Sequence, residues 1–217
     1  MIQAFLAIKT WDNNTIGKFY GYLGKLSDED KCASTVFVAQ ALQKRGGKEN
    51  LDAAEAILLY AADNHTAGAT LETRARLHWA LGDIYEKSML DYEHAVRQYK
   101  LWRDLNSPVS GANIALARAV MLRDNFEYTK ELEEYLLAGF GEGDLASRTD
   151  RLYEAIGNYI VSSFYGSAGL CKTYRSQAQS IVKADDGFLA DFALHIQGFD
   201  DKLDVPQKTR IYIKQMD

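Results

Sequence analysis

Two stretches decide the reading of this chain: Asp52-Ala53-Ala54-Glu55-Ala56-Ile57-Leu58-Leu59-Tyr60 and, 39 residues later, Asp91-Tyr92-Glu93-His94-Ala95-Val96-Arg97-Gln98-Tyr99. Both have Asp, then Glu or His three positions on, then Ala, then Tyr four positions after that. In a helix, residues three and four apart share a face. The small alanine lets a neighbouring helix come close, and the tyrosine on the same face fills the space toward the next hairpin. Tyr135 and Tyr174 extend the series, so that Tyr60, Tyr99, Tyr135 and Tyr174 step by 39, 36 and 39. First-helix starts near 28, 70, 108 and 147 step by 42, 38 and 39. Two rulers therefore give a period near forty, the range of helical-hairpin repeats. One hairpin cannot bury such a face alone, so successive hairpins are expected to stack.

The punctuation between these points is helical. Ser27, Asn50, Thr70, Asp91 and Asn125 each stand before a residue pair or triplet containing an acid, the arrangement of an N-cap with a negatively charged first turn. Ser107-Pro108 sets a capping side chain before a proline at the first helical position. Ser147 and Asp186 mark two further starts. Apolar residues recur at steps of three and four, as in Tyr92, Ala95, Tyr99, Trp102 and Leu105, or Leu152, Ile156, Tyr159 and Ile160. The predicted helices are 2–12, 15–26, 28–45, 51–63, 71–88, 91–105, 108–124, 126–139, 147–165, 168–184, 187–198 and 206–216. Only two prolines occur, where average usage of about 5% would give about eleven. Strict alternation is confined to short stretches such as 210–214, also read as helix.

Leu81-Gly82-Asp83-Ile84-Tyr85 resembles the L-G-x-x-Y of tetratricopeptide first helices. Asp52 to Ala56 and Asp91 to Ala95 are similar to the second-helix motif of Sel1-type repeats, and Leu59-Tyr60-Ala61-Ala62 resembles its aromatic-plus-alanine ending. The likeness is carried by residues 28–105. Ala39 and Leu42 stand where the first repeat would have glycine and tyrosine, the glycine-rich turn of Sel1 repeats is missing between Tyr85 and Asp91, and over 106–184 mainly the spacing and the tyrosine remain. The resemblance implies an all-α fold, an α-solenoid of stacked antiparallel helix hairpins. Residues 1–27 would pack on the array, 28–184 would form about four hairpins, and 185–217 would cap it. It specifies architecture and not activity.

Composition narrows the function classes. A net charge of −5 gives neither the basic surface that nucleic acid requires nor a polybasic membrane signal. No run approaches the about 18 apolar residues of a membrane span. The N-terminal stretch has no basic region followed by a cleavage site, so a cytoplasmic protein is the default, and a periplasmic or secreted one if a leader has been removed. Cys32 and Cys171 lie far apart and form no metal-type pair; small apolar core residues are the reading preferred over a disulfide.

Chemistry-bearing patterns are sparse. His65, His78, His94 and His195 form no H-E-x-x-H pair, and no metal or cofactor is expected. Gly139-x-Gly141-x-Gly143 follows a predicted helix, not the strand a dinucleotide loop needs, and reads as a turn. Gly166-Ser167-Ala168-Gly169 is one residue short of G-x-S-x-G and reads as an inter-helix turn. The acidic groups at 28–30, 131–134, 185–186 and 200–201 read as caps and solvated faces. The triplets at 13–15 and 64–66 match glycosylation sequons.

What remains is a surface. In stacked hairpins the first helices line a concave face. With Gly82 at the close-packing position, Arg76, Trp79, Asp83 and Glu86 project toward it, Gln40 and Gln43 take the equivalent positions of the first repeat, and Arg123 is the counterpart in the third. Tryptophan beside arginine is the composition of a binding hot spot, although Trp79 also suits a bridging role between hairpins. The expected function is a scaffold that binds a peptide or protein partner; the resemblance to Sel1-type repeats implies a setting in bacterial secretion or assembly, or in exopolysaccharide export. The alternatives are an all-α enzyme acting on a saccharide or other small polar substrate, and a subunit whose repeats continue into another chain.

Overall fold

The computed structural model describes residues 2–105, 111–139, 148–183 and Met216, and among these every regular element is a helix. By packing, the described residues divide into two units, the first holding 2–105 and the second 111–139, 148–183 and Met216.

The first unit opens with α1 (Ile2–Leu6) and α2 (Asn13–Leu23). The expected helix 2–12 is cut short. Asp12 sits in extended backbone and its side chain accepts from the Thr15 N–H, so a new helix starts there. Trp11 turns inward and joins Phe5, Phe19 and Tyr22, with ring centroids 5.2 to 6.4 Å apart. α3 (Asp28–Arg45) begins behind Ser27, which accepts from the Asp30 N–H as expected. α4 (Lys48–Asn64) starts earlier than predicted, after Gly47 at φ 80. Asn50 lies inside that helix, and its amide donates back to the Gly46 carbonyl instead of capping. Cys32 Sγ, at the start of α3, lies 3.4 Å from the His65 carbonyl just past the end of α4, so the two helices run antiparallel. Tyr20 of α2 reaches α4, where its hydroxyl donates to the Ala56 carbonyl and its ring stacks on Tyr60 at 4.0 Å.

α5 (Leu71–Asp83) is capped by Thr70 and runs directly into a π-helical turn, Ile84–Met89. The Tyr85 carbonyl accepts from the N–H groups of both Leu90 and Asp91, and Leu90 takes the left-handed conformation at φ 55. A leucine is unusual there; its buried side chain holds it in place. α6 (Tyr92–Asp104) starts behind Asp91, which accepts from the His94 N–H. His78 meets Gln98 and Tyr85 meets His94, so α5 and α6 are antiparallel. α5 also lies against α3 and α4.

The second unit contains α7 (Ala112–Arg123), α8 (Lys130–Gly139), α9 (Arg148–Phe164) and α10 (Ala168–Lys183). α7 pairs with α8, α9 pairs with α10, and α9 also lies against α7 and α8. Ala112 and every residue from Ala115 to Leu122 is buried, which makes α7 the core helix of this unit. Its one buried charge, Arg118, pairs with Asp150 of α9 at 2.9 Å. Asn125 does not cap the following helix. It and Phe126 are left-handed, at φ 52 and 63, and α8 starts four residues later, where Thr129 Oγ1 accepts from the Leu132 N–H. Gly166, at φ 69, closes the turn between α9 and α10. Met216 is buried, and its carbonyl accepts from Tyr159 and Arg175.

Helices consecutive in the chain pair with one another, α3 with α4 and α5 with α6 in the first unit, α7 with α8 and α9 with α10 in the second. The caps expected at Ser107 and Ser147, the glycines at 141 and 143, His195 and the helices 187–198 and 206–216 lie outside the described residues, apart from Met216. The tyrosines at the forty-residue interval share spacing but not surroundings. Tyr99 and Tyr135 are buried, whereas Tyr60 and Tyr174 keep partial exposure.

Candidate functional site

The α3 and α5 helices of the first unit form a seam whose two ends are bonded in register. At the N-terminal end, Glu29 accepts from the Thr70 N–H at 2.7 Å and from the hydroxyls of Thr70 and Thr73. At the C-terminal end, the Gln43 amide donates to Asp83 Oδ2 at 2.9 Å and to Ser88 Oγ at 3.2 Å. Start meets start and end meets end, so α3 and α5 run parallel, with bonded partners 40 to 45 residues apart.

Helical spacing carries the stripe between these ends. On α3 it runs Glu29, Ala33, Val36, Gln40, Gln43; on α5 it runs Thr73, Arg76, Trp79, Asp83. Gln40 and Trp79 each lie one turn before the Gln43–Asp83 bond. Val36, Gln40 and Trp79 are half-buried, as are Glu29 and Gln43 at the ends, and Arg76 and Thr70 are exposed, so the seam meets solvent along its length. Arg76 is also held by Glu72, one turn back, at 2.5 Å. The hydrogen bonds from Thr73 and Thr70 hold the Glu29 carboxyl below the usual carboxylate range.

The predicted site residues therefore separate. Gln40, Arg76 and Trp79 lie on the stripes between the bonded ends, and Gln43 and Asp83 form one of those ends. Asp83 is buried and also bonded to Lys87. Glu86 does not face an open surface. It is 0% exposed, inside the π-helical turn, and accepts from the Tyr99 hydroxyl at 2.8 Å. The widened turn shifts the phase of the residues beyond Asp83, so Glu86 leaves the stripe that a continuous α-helix would have placed it on. Arg123 belongs to the second unit, where it is held by Asp124 and Glu131.

Sequence reasoning missed two features. Tyr85 donates to Glu55 at 2.5 Å; burial, reinforced by that carboxylate, raises its pKa, so it serves as a fixed donor. In the second unit, Tyr128, Phe164 and Tyr165 form an exposed aromatic cluster around Glu133. A signal for it was present. Adjacent residues on a helix point in different directions, so Phe164-Tyr165 cannot both face one core.

Two tyrosine–carboxylate pairs, Tyr99–Glu86 and Tyr85–Glu55, are buried or part-buried between helices of the first unit. The cleft between α9 and α10 is lined by Arg151, Glu154, Ala155, Thr173, Ser176, Gln177, Ser180 and Ile181. Burial raises the Glu154 pKa, but neither tyrosine nor histidine lines that cleft. Cys32 and Cys171 are both free thiols; burial pushes Cys32 up to about 11, which leaves it protonated and unreactive. Among the described residues no group of three or more His, Cys, Asp or Glu side chains is placed to hold a metal ion, and no helix is long and apolar enough to cross a membrane. Compared with protein-family models, with curated proteins and with solved structures, the chain matches none.

Proposed function

We propose that this all-α protein is an interaction scaffold of the tetratricopeptide or Sel1-like kind, a short α-solenoid that receives a peptide or protein partner along the α3–α5 furrow. One observation carries the reading. Residues 40 and 41 positions apart are bonded at the two ends of the seam, and between them Gln40 and Trp79 are half-buried and Arg76 is exposed. Bonded ends with a half-buried tryptophan and an exposed arginine between them supply a preorganised surface, and little side-chain entropy is lost when a partner docks. Tryptophan and arginine are the side chains most enriched among binding hot spots. The enzyme alternative needs a carboxylate and a second titrating group that share a cleft; the α9–α10 cleft has Glu154 without a tyrosine or histidine, and Glu86 with Tyr99 is packed in the core.

The test uses photo-crosslinking side chains placed at positions 40, 79 and, as a control on α6, 97. A partner joined through 40 and 79 but not 97 is then purified and titrated. Trp79→Ala should weaken its binding at least about ten-fold, and Arg76→Glu should do so too, with the helical circular-dichroism signal unchanged. A purified partner whose affinity is untouched by both substitutions removes the proposal.

A further inference from the structure

The aromatic cluster of the second unit has a chemistry of its own. Tyr128, just before α8, stacks on Phe164 with ring centroids 3.7 Å apart and planes 8° from parallel. Tyr165 stands edge-on to both, at 74° and 81°. The rings thus form a corner. Glu133 of α8 sits at it, accepting from the Tyr128 hydroxyl at 2.7 Å and from the Tyr165 hydroxyl at 3.2 Å. Despite these contacts, Phe164 and Tyr165 are each 60% exposed, and Leu137, one turn beyond Glu133 on α8, is 78% exposed. So much apolar surface in one place marks a contact site.

The hydrogen-bonding pattern selects the ligand. Both phenol protons are directed at Glu133, so the corner presents carboxylate lone pairs and negatively polarised ring faces. Such a surface suits a group that only donates. A guanidinium has five N–H donors, no acceptor, a permanent charge and a flat face that stacks on rings. A saccharide, which offers acceptors as well as donors and favours an open flat platform, fits a corner of this kind poorly. The surroundings have the matching sign. Residues 123–134 carry Asp124, Glu127, Glu131, Glu133 and Glu134 against Arg123 and Lys130, and Arg123 is bound up with Asp124 and Glu131.

We infer that the Tyr128–Phe164–Tyr165 corner binds an arginine side chain from a basic segment of a partner protein, the guanidinium lying on the exposed rings and donating to Glu133. An apolar side chain next to that arginine would cover Leu137. The inference does not depend on the α3–α5 furrow, so the two readings fail separately.

The probe is a fluorescein-labelled ten-residue peptide with two arginines flanked by leucines, together with a version in which citrulline replaces both arginines. Citrulline keeps the shape and loses the charge. Fluorescence anisotropy on the full chain should show saturable binding of the arginine peptide that weakens as salt is raised, and at least about ten-fold weaker binding of the citrulline peptide. Phe164→Ala and Glu133→Gln should each cost about ten-fold, whereas Trp79→Ala and Leu71→Ala should change nothing. Because Phe164 is mostly exposed, the thermal midpoint of Phe164→Ala should stay near that of the unchanged chain, which separates lost binding from lost folding. No binding of the arginine peptide, equal binding of both peptides, indifference to Phe164→Ala and Glu133→Gln, or self-association through the same rings would each overturn the inference.

Discussion

Gly82 in the first unit and Gly157 in the second do the same job with different partners. A Cβ at Gly82 would overlap the edge of the Tyr99 ring, and a Cβ at Gly157 would fall 2.8 and 2.9 Å from the two methyl carbons of Leu136. Each glycine is a notch in a buried helix face, and each notch holds one large side chain from a neighbouring helix. Tyr99 comes from α6, the antiparallel partner of α5; Leu136 comes from α8, which belongs to the preceding pair. Leucine asks nothing more of its surroundings. Tyrosine brings a hydroxyl into the core, and a buried hydroxyl needs a partner. Glu86 is that partner, and the π-helical turn is the local structure that brings it inward. One choice of side chain therefore links a notch, a buried carboxylate and a distorted helix in the first unit, while the second unit makes do with shape.

The largest expected effect follows from emptying the first notch. Tyr99→Ala leaves a ring-sized cavity and should destabilise the protein by about 3–5 kcal/mol in urea unfolding. Tyr99→Phe keeps the ring and removes the donor to Glu86, so it should cost about 1–3 kcal/mol. If the two variants lost the same stability, the hydroxyl would be the whole contribution and the notch irrelevant.

Filling the notches separates the units further. Gly82→Ala drives a methyl into a rigid ring and should cost about 2–3 kcal/mol, at the upper end of overpacking. Gly157→Ala meets only the flexible end of a leucine and should cost about 1 kcal/mol or less. Thermal unfolding of both variants checks the order, and a reversed order would contradict the packing described above.

The smallest effect is one of pH. His78, one turn before Gly82, is half-buried against Gln98, and burial lowers its pKa from the ordinary 6.5. The unfolded chain therefore takes up this proton more readily than the folded one. Stability contributed by neutral His78 is fully present above 6.5 and is lost as the pH falls below it. Glu29, held below its ordinary 4.5, acts in the same direction at lower pH. His78→Gln should flatten the fall in urea midpoint between about pH 7 and pH 5; an unchanged profile would place the titration elsewhere.

Much of this architecture was legible because helices announce themselves locally. Ser27, Thr70 and Asp91 cap helices where an acidic first turn pointed to them, and α3 spans the residues expected. Where prediction failed, two local signals competed. Asn50 and Asn125 have the composition of caps, but Gly47 and the left-handed pair Asn125–Phe126 moved the helix starts upstream and downstream. The forty-residue interval was visible from tyrosines, yet the tyrosines turned out to occupy different surroundings, because spacing records which helix a residue is on and not which neighbour covers it. The 3.6-residue period places Gln40 on the α3 stripe with Gln43, and Arg76 and Trp79 on the α5 stripe with Asp83. Glu86 was misplaced because nothing in the residue pattern announces a π-helical turn. The Tyr128–Phe164–Tyr165 corner was missed because Tyr128 stands 36 residues before Phe164 and meets it only after two helices have packed.

That π-helical turn also makes the first unit sensitive to chain length as well as to composition. A π-helical turn holds one residue more than the α-helix it interrupts, so removing one residue between Ile84 and Met89 would let the segment wind as ordinary helix with little change of phase beyond it. The loss would fall on Glu86, whose inward position beneath the Tyr99 hydroxyl depends on the widened turn.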